Sequence, residues 1–154
     1  MPGGIVPFPL NLPIPPSKAR SSEAVIPSLG YVPESDKKKI ESYLQTLVAQ
    51  AKAAIQGTGR LIGTLQHSFI TNNVRSLGNY YLRAEVSFLN GQVVHYGTAG
   101  SIRFDVVFGV KNAAGEFVPL MAWDYKSGAA TLTQARISHM QKVANYYIPI
   151  ILVK

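Results

Sequence analysis

The sequence predicts an α+β domain built on a central, mainly antiparallel sheet. Three observations predict it. Apolar residues recur at helical spacing after Ser35-Asp36, residues 82–96 read as two strands joined by Asn90-Gly91, and two further strand-like segments precede a helix and an apolar tail. Helix, antiparallel strands, helix, strand is the order of an α+β domain rather than of alternating βαβ units.

The first helix is expected from Ser35-Asp36 onward. Ile40, Tyr43, Leu44, Leu47, Val48 and Ala51 form its apolar stripe, and Gly57 and Gly59 stop it. Residues 60–81 are ambiguous: Val74, Leu77 and Tyr81 fit a helix, but Gly63 and Gly78 weaken it. In the hairpin, Leu82, Ala84, Val86 and Phe88 alternate with Arg83, Glu85 and Ser87, and Asn90-Gly91 supplies the two positive-φ positions of a type I′ turn before Gln92 to Tyr96. Ser101 to Val110 and Phe117 to Lys126 follow as strands around a polar loop. Thr131 or Thr133 caps a helix ending near Asn145, and Tyr146 to Val153 is a last strand whose Pro149 assigns it to a sheet edge.

Eight of the ten prolines lie in residues 1–33, so residues 1–35 read as a proline-rich lead-in and residues 36–154 as the folded domain. Val25, Ile26, Leu29 and Tyr31 are positioned to dock on it. Met1 to Pro16 is broken by prolines and lacks the basic start of a Sec signal peptide, and no stretch approaches the roughly 20 apolar residues of a membrane span. The absence of cysteine excludes disulfides, a thiol nucleophile and a cysteine zinc site. The net charge of +7 resides entirely in residues 36–154, where thirteen Lys and Arg face six Asp and Glu. Such a basic domain points to a polyanionic partner, most often nucleic acid.

After Glu41 only Glu85, Asp105, Glu116 and Asp124 are acidic. Glu116 belongs to a turn. The other three stand inside strands, where carboxylates are disfavoured, and local misfits mark sites. Pairing Val110 with Phe117 sets Asp105 opposite Ala122 and makes Asp124 its diagonal neighbour, about 7–8 Å away between Cα atoms. Lys126 then shares one wet face with both acids, while Trp123 and Tyr125 point into packing. Two carboxylates so placed suit a hard divalent cation, Mg²⁺ or Mn²⁺, with the Tyr125 carbonyl as a further ligand. Lys126 is positioned to orient a water or offset charge on a phosphate. Arg103 shares the face of Asp105 and is the basic residue best placed for phosphate.

The run Arg103-Phe104-Asp105-Val106-Val107, followed by Trp123-Asp124-Tyr125-Lys126-Ser127-Gly128-Ala129-Ala130-Thr131-Leu132-Thr133-Gln134, resembles the PD-(D/E)XK nuclease superfamily. More narrowly, it resembles nuclease toxin domains at the C-terminal ends of bacterial polymorphic toxins, in contact-dependent inhibition, Rhs and bacteriocin systems. The similarity covers about residues 82–145, with Phe104 where the motif has Pro. It implies a restriction-endonuclease-like core, a mixed sheet flanked by helices, with Asp105 and Asp124 as metal ligands and Lys126 as the catalytic lysine. It also implies an upstream acid, for which Glu85 is the candidate and Glu41 on the first helix the alternative. Gln134 matches a motif position, and Gln141 lies on its stripe with Ser138 and Asn145, so both are candidate substrate contacts. The three histidines, 67, 95 and 139, lack metal-motif spacing and read as structural.

The function these features predict is a Mg²⁺-dependent endonuclease toxin that hydrolyses DNA, with tRNA or other RNA as the alternative substrate. The resemblance further implies delivery from a producing bacterium, action in the target cell's cytoplasm, and an acidic cognate immunity protein matched to the basic toxin. A non-catalytic nucleic-acid-binding module would account for the charge but not for three strand acids, since carboxylates repel phosphate. A peptide-like interaction protein would account for residues 1–35 alone.

Overall fold

A computed structural model describes residues 32–154. Most of the proline-rich lead-in, including the docking expected of Val25, Ile26, Leu29 and Tyr31, lies outside the described residues. Within them Val32 packs against the core and Pro33 starts the first helix, its carbonyl accepting the N–H groups of Asp36 and Lys37 at 3.0 Å.

The chain builds α1 (Glu34–Ala54), α2 (Arg60–Ser76), β1 (Leu82–Leu89), β2 (Gln92–Val94), β3 (Ile102–Lys111), β4 (Phe117–Tyr125), α3 (Gln134–Ala144) and β5 (Ile150–Val153). The five strands form one mixed sheet in the order β2-β1-β3-β4-β5. Every pairing is antiparallel except β4 with β5, which follows α3 and runs parallel. The described residues are therefore α+β, with a mainly antiparallel sheet flanked by three helices.

Each turn has a local cause. Asn90 and Gly91 adopt φ of 49° and 85°, the positive-φ pair that a two-residue hairpin needs. Thr133 is the cap of α3, its hydroxyl accepting the Arg136 N–H at 3.1 Å, and Asn145 ends the helix in the left-handed region. Pro149 precedes β5, which is the edge strand expected, and the Pro149 carbonyl accepts the Ala122 N–H.

Residues 60–81, ambiguous in the sequence, are mostly helix. Gly63 is no breaker: it sits inside α2 because a Cβ there would lie 2.5 Å from Ser127 Oγ in the loop after β4. Glycine permits that approach at a helix-propensity cost of about 1 kcal/mol.

The apolar residues divide into two clusters. Ile40, Leu44, Leu47, Ile70 and Val74 of α1 and α2 pack with Leu82, Val106, Phe108, Trp123 and Tyr125. Met140 and Ala144 of α3 pack with Val86, Phe88, Ile102, Phe104, Val107 and Ala122. The expectation that Leu82, Ala84, Val86 and Phe88 share one face is therefore overturned. Glu85 has φ of +54°, which breaks the pleat, so residues before it serve one cluster and residues after it the other.

Candidate active site

The site forms where β3 and β4 fork. Their ladder pairs Lys111 with Phe117 and Val110 with Val118, then shifts at Phe108/Gly109 and continues to Val106 with Trp123. Two register steps separate this from the expected pairing, one in the loop and one at the bulge. A slip of one residue would send every side chain to the other face, whereas a slip of two restores it. Asp105 thus comes level with Asp124, rather than with Ala122 as expected. On the other side, β1 pairs Ala84 with Val106 and Val86 with Phe104, leaving Glu85 level with Asp105. Glu85, Asp105 and Asp124 thus occupy one row across three strands, and no ladder pair is formed at that row.

Side chains replace the missing ladder bonds. Asp105 Oδ2 accepts the Tyr125 N–H at 2.8 Å, and the Tyr125 hydroxyl donates to Gln66 Oε1 at 3.1 Å. Lys126 leaves the row with its N–H on the Val153 carbonyl and its ammonium 2.9 Å from Asp124 Oδ2. That contact is an ion pair without hydrogen-bond alignment, and among the described residues Asp124 Oδ2 has no hydrogen-bond donor. The wet face expected for both acids is corrected: Asp105 and Asp124 are 8% and 6% exposed. Burial first, and the Asp124 carboxylate second, push the Asp105 carboxyl up to about 6.

His67, on α2, is not the purely structural histidine that its spacing suggests: it joins the row. Its Nε2 lies 3.3 Å from Glu85 Oε2 and its Nδ1 3.7 Å from Asp105 Oδ2. Nothing in its sequence spacing marks this, because the link runs from a helix that Gly63 obscured. Glu85 also receives a hydrogen bond from Arg75. Partial burial opposes its ionisation, but Arg75, Arg103 and His67 together hold its carboxyl below the usual range. Glu85 thus shares the row while its oxygens face Arg75 and His67. Glu41 is elsewhere, accepting the Trp123 indole N–H at 3.1 Å.

Among the described residues, no three His, Asp or Glu side chains converge as a metal-binding group. The donor set is two carboxylates, with Lys126 and His67 beside them. A close acid pair, one of whose oxygens has no hydrogen-bond donor, fits a Mg²⁺-type ion, which commonly takes one or two protein carboxylates and completes its shell with water.

Two adjoining cavities meet here. One of about 470 Å³ contains Asp105, Asp124, Lys126, Arg103, Arg136 and Tyr96. The other, about 1060 Å³, shares His67, Arg103, Tyr125 and Lys126 with it and extends to Lys52 and Arg60, with no carboxylate among the described residues that line it. Arg103 therefore stands where expected, beside the acids. Gln134 is exposed at the start of α3 and bonds Ser138, and Gln141 donates to the Ile148 carbonyl, a structural use rather than the substrate contact expected. No family model matches the chain, and no curated protein or solved structure matches it either.

Proposed function

We propose that this domain is a metal-dependent nuclease that hydrolyses phosphodiester bonds. The observation that carries the reading is the buried Asp105–Asp124 pair with Lys126 alongside, opening into a groove walled by cations. Two acids that repel one another in a basic groove disfavour a phosphate ligand unless something positive joins them, so simple nucleic-acid binding accounts for them poorly. Asp105 and Asp124 are the residues that would hold a divalent cation. Such an ion, when bound, polarises a phosphoryl oxygen and lowers the pKa of a bound water.

The chain's own groups supply the rest. Lys126 is placed to donate to a phosphoryl oxygen or to orient the attacking water, while Arg103 and Arg136 hold the flanking phosphates. In the reaction water oxygen adds to phosphorus, the ester P–O bond breaks, and the departing oxygen takes up a proton. The Tyr125 N–H fixes the Asp105 carboxylate, so little reorganisation is needed at the reacting centre.

DNA is the proposed substrate. The resemblance of the Asp105 to Gln134 stretch to toxin nucleases supports a further proposal: delivery into a target bacterium's cytoplasm, with an acidic immunity protein protecting the producer. The test is incubation of the full chain with plasmid and, separately, with tRNA, in Mg²⁺, in Mn²⁺ and in excess EDTA. Cleavage should require the metal and reappear when Mg²⁺ or Mn²⁺ is restored. Full activity in chelator would overturn the metal mechanism, and cleavage of tRNA alone would replace DNA with RNA.

A further inference from the structure

We infer that Tyr96 is a stacking platform for one unpaired nucleobase, so that the site takes its substrate as a single strand or a locally opened loop. The inference rests on the nuclease reading for the phosphate chemistry and on independent geometry for the base. Tyr96 is 78% exposed, although a tyrosine ring ordinarily recovers free energy by burial. It belongs to the same cavity as Asp105 and Asp124, and the Arg103 guanidinium lies over one face of its ring, 4.9 Å from the centroid, so the base would take the other face. A base stacked on this ring would have its phosphates near Arg103, Lys126 and Arg136.

The loop that carries the ring is ordered. Thr98 donates through both N–H and hydroxyl to the His95 carbonyl, and Ser101 does the same to the Thr98 carbonyl, at 2.7–3.1 Å. Gly97 and Gly100 take the positive φ that these two successive turns require. Pre-ordering of this kind lowers the entropy lost on binding. The substrate class follows from sterics. Inside a duplex both faces of a base are covered by its neighbours, so a side-chain ring can stack only on a base that has left the helix. The shared chemistry is a nucleobase on a phosphodiester strand, DNA or RNA.

The test is fluorescence anisotropy of the full chain in EDTA, where binding is read without cleavage. The labelled probes are single-stranded DNA, single-stranded RNA, a blunt DNA duplex, and an abasic strand of equal length. Tyr96→Ala should weaken binding of at least one of the two single strands about 5- to 150-fold, the range of one base–aromatic stack. Tyr96→Phe, which keeps the ring, should bind within about twofold of the parent chain. Duplex and abasic strand should not respond to Tyr96→Ala, and the DNA and RNA arms identify the sugar. Unchanged single-strand affinity in Tyr96→Ala, or equal losses on all four probes, would overturn the platform. If the binding pattern holds but Mg²⁺ yields no cleavage, the nuclease reading fails and the platform stands; cleavage with binding indifferent to Tyr96 is the reverse. Binding of no probe in EDTA sinks the platform alone, and the nuclease reading is then decided by cleavage in Mg²⁺.

Discussion

The carboxylate of Asp105 takes the backbone N–H of Tyr125, at the place where β3 would otherwise have offered a carbonyl. One side chain therefore ends a ladder and orients an acid. Because the donor is main chain, only proline at position 125 removes it, whereas changes at position 105 remove the acceptor and the charge separately.

Asp105→Asn keeps an acceptor and deletes the charge. The Asp105 carboxyl is raised from 3.8 to about 6, by burial and then by Asp124. A raised folded value means that the native state binds this proton more tightly than the unfolded chain does. Ionised Asp105 thus opposes folding above about pH 6, and its opposition fades as pH falls toward 3.8. In EDTA at pH 7.5 the variant should be more stable than the parent by on the order of 1–3 kcal/mol, closing by pH 4. Thermal melts at both pH values check this, and an equal gap at each would refute it. Mg²⁺ should raise the parent's Tm and leave the variant's nearly unchanged.

Asp124→Asn and Lys126→Ala should each lower cleavage by about 10²-fold or more while circular dichroism stays native. The stability costs should differ. Lys126→Ala leaves buried Asp124 without its cation, whereas Asp124→Asn relieves the acid pair. Lys126→Ala should therefore melt below Asp124→Asn in chelator. A folded Lys126→Ala protein that cuts at the parent rate would remove the lysine from the mechanism.

Glu85 and Glu41 separate in a metal titration. Glu85→Gln loosens Arg75 and His67 and should cost about 1–3 kcal/mol of stability. Its half-activating Mg²⁺ concentration should move less than about threefold, since its oxygens already have partners. Glu41→Ala should leave metal dependence untouched and shift the emission of Trp123, the sole tryptophan. A tenfold rightward shift for Glu85→Gln would make Glu85 a ligand after all.

Gly63→Ala should lower activity although α2 itself gains helix propensity, because the new methyl displaces Ser127, next to Lys126. Ser127→Ala in the same chain should restore much of the loss by removing the clashing hydroxyl. A double-mutant cycle on kcat measures the coupling. Additive effects would show that the close approach does not set the loop.

Much of this site is legible in the sequence because the acids are conspicuous against strand propensity. Asp105, Asp124, Lys126 and Arg103 are grouped correctly although the expected register was wrong, since a slip of two preserves facing. The α1 stripe, the Asn90-Gly91 turn and the Thr133 cap follow local rules, and local rules can be read along the chain. His67 and Tyr96 could not be found that way. His67 reaches the row only through tertiary packing of α2, and the exposure of Tyr96 depends on how two turns aim a loop. The positive φ of Glu85 was equally hidden, because strand alternation carries no signal of a local reversal.

That reversal bears on how the molecule comes apart. Because the pleat breaks at Glu85, β1 enters the sheet beneath α1 and α2 and leaves it against α3. Strand β3 likewise serves both layers, with Phe104 and Val107 in the α3 cluster and Val106 and Phe108 in the other. Neither layer of helices owns a complete set of strands. Loosening one layer strips contacts from strands that the other layer needs, so the two cores are bound into one cooperative unit rather than two foldons. The acid row lies at the crossing point, where local opening requires both halves to yield together.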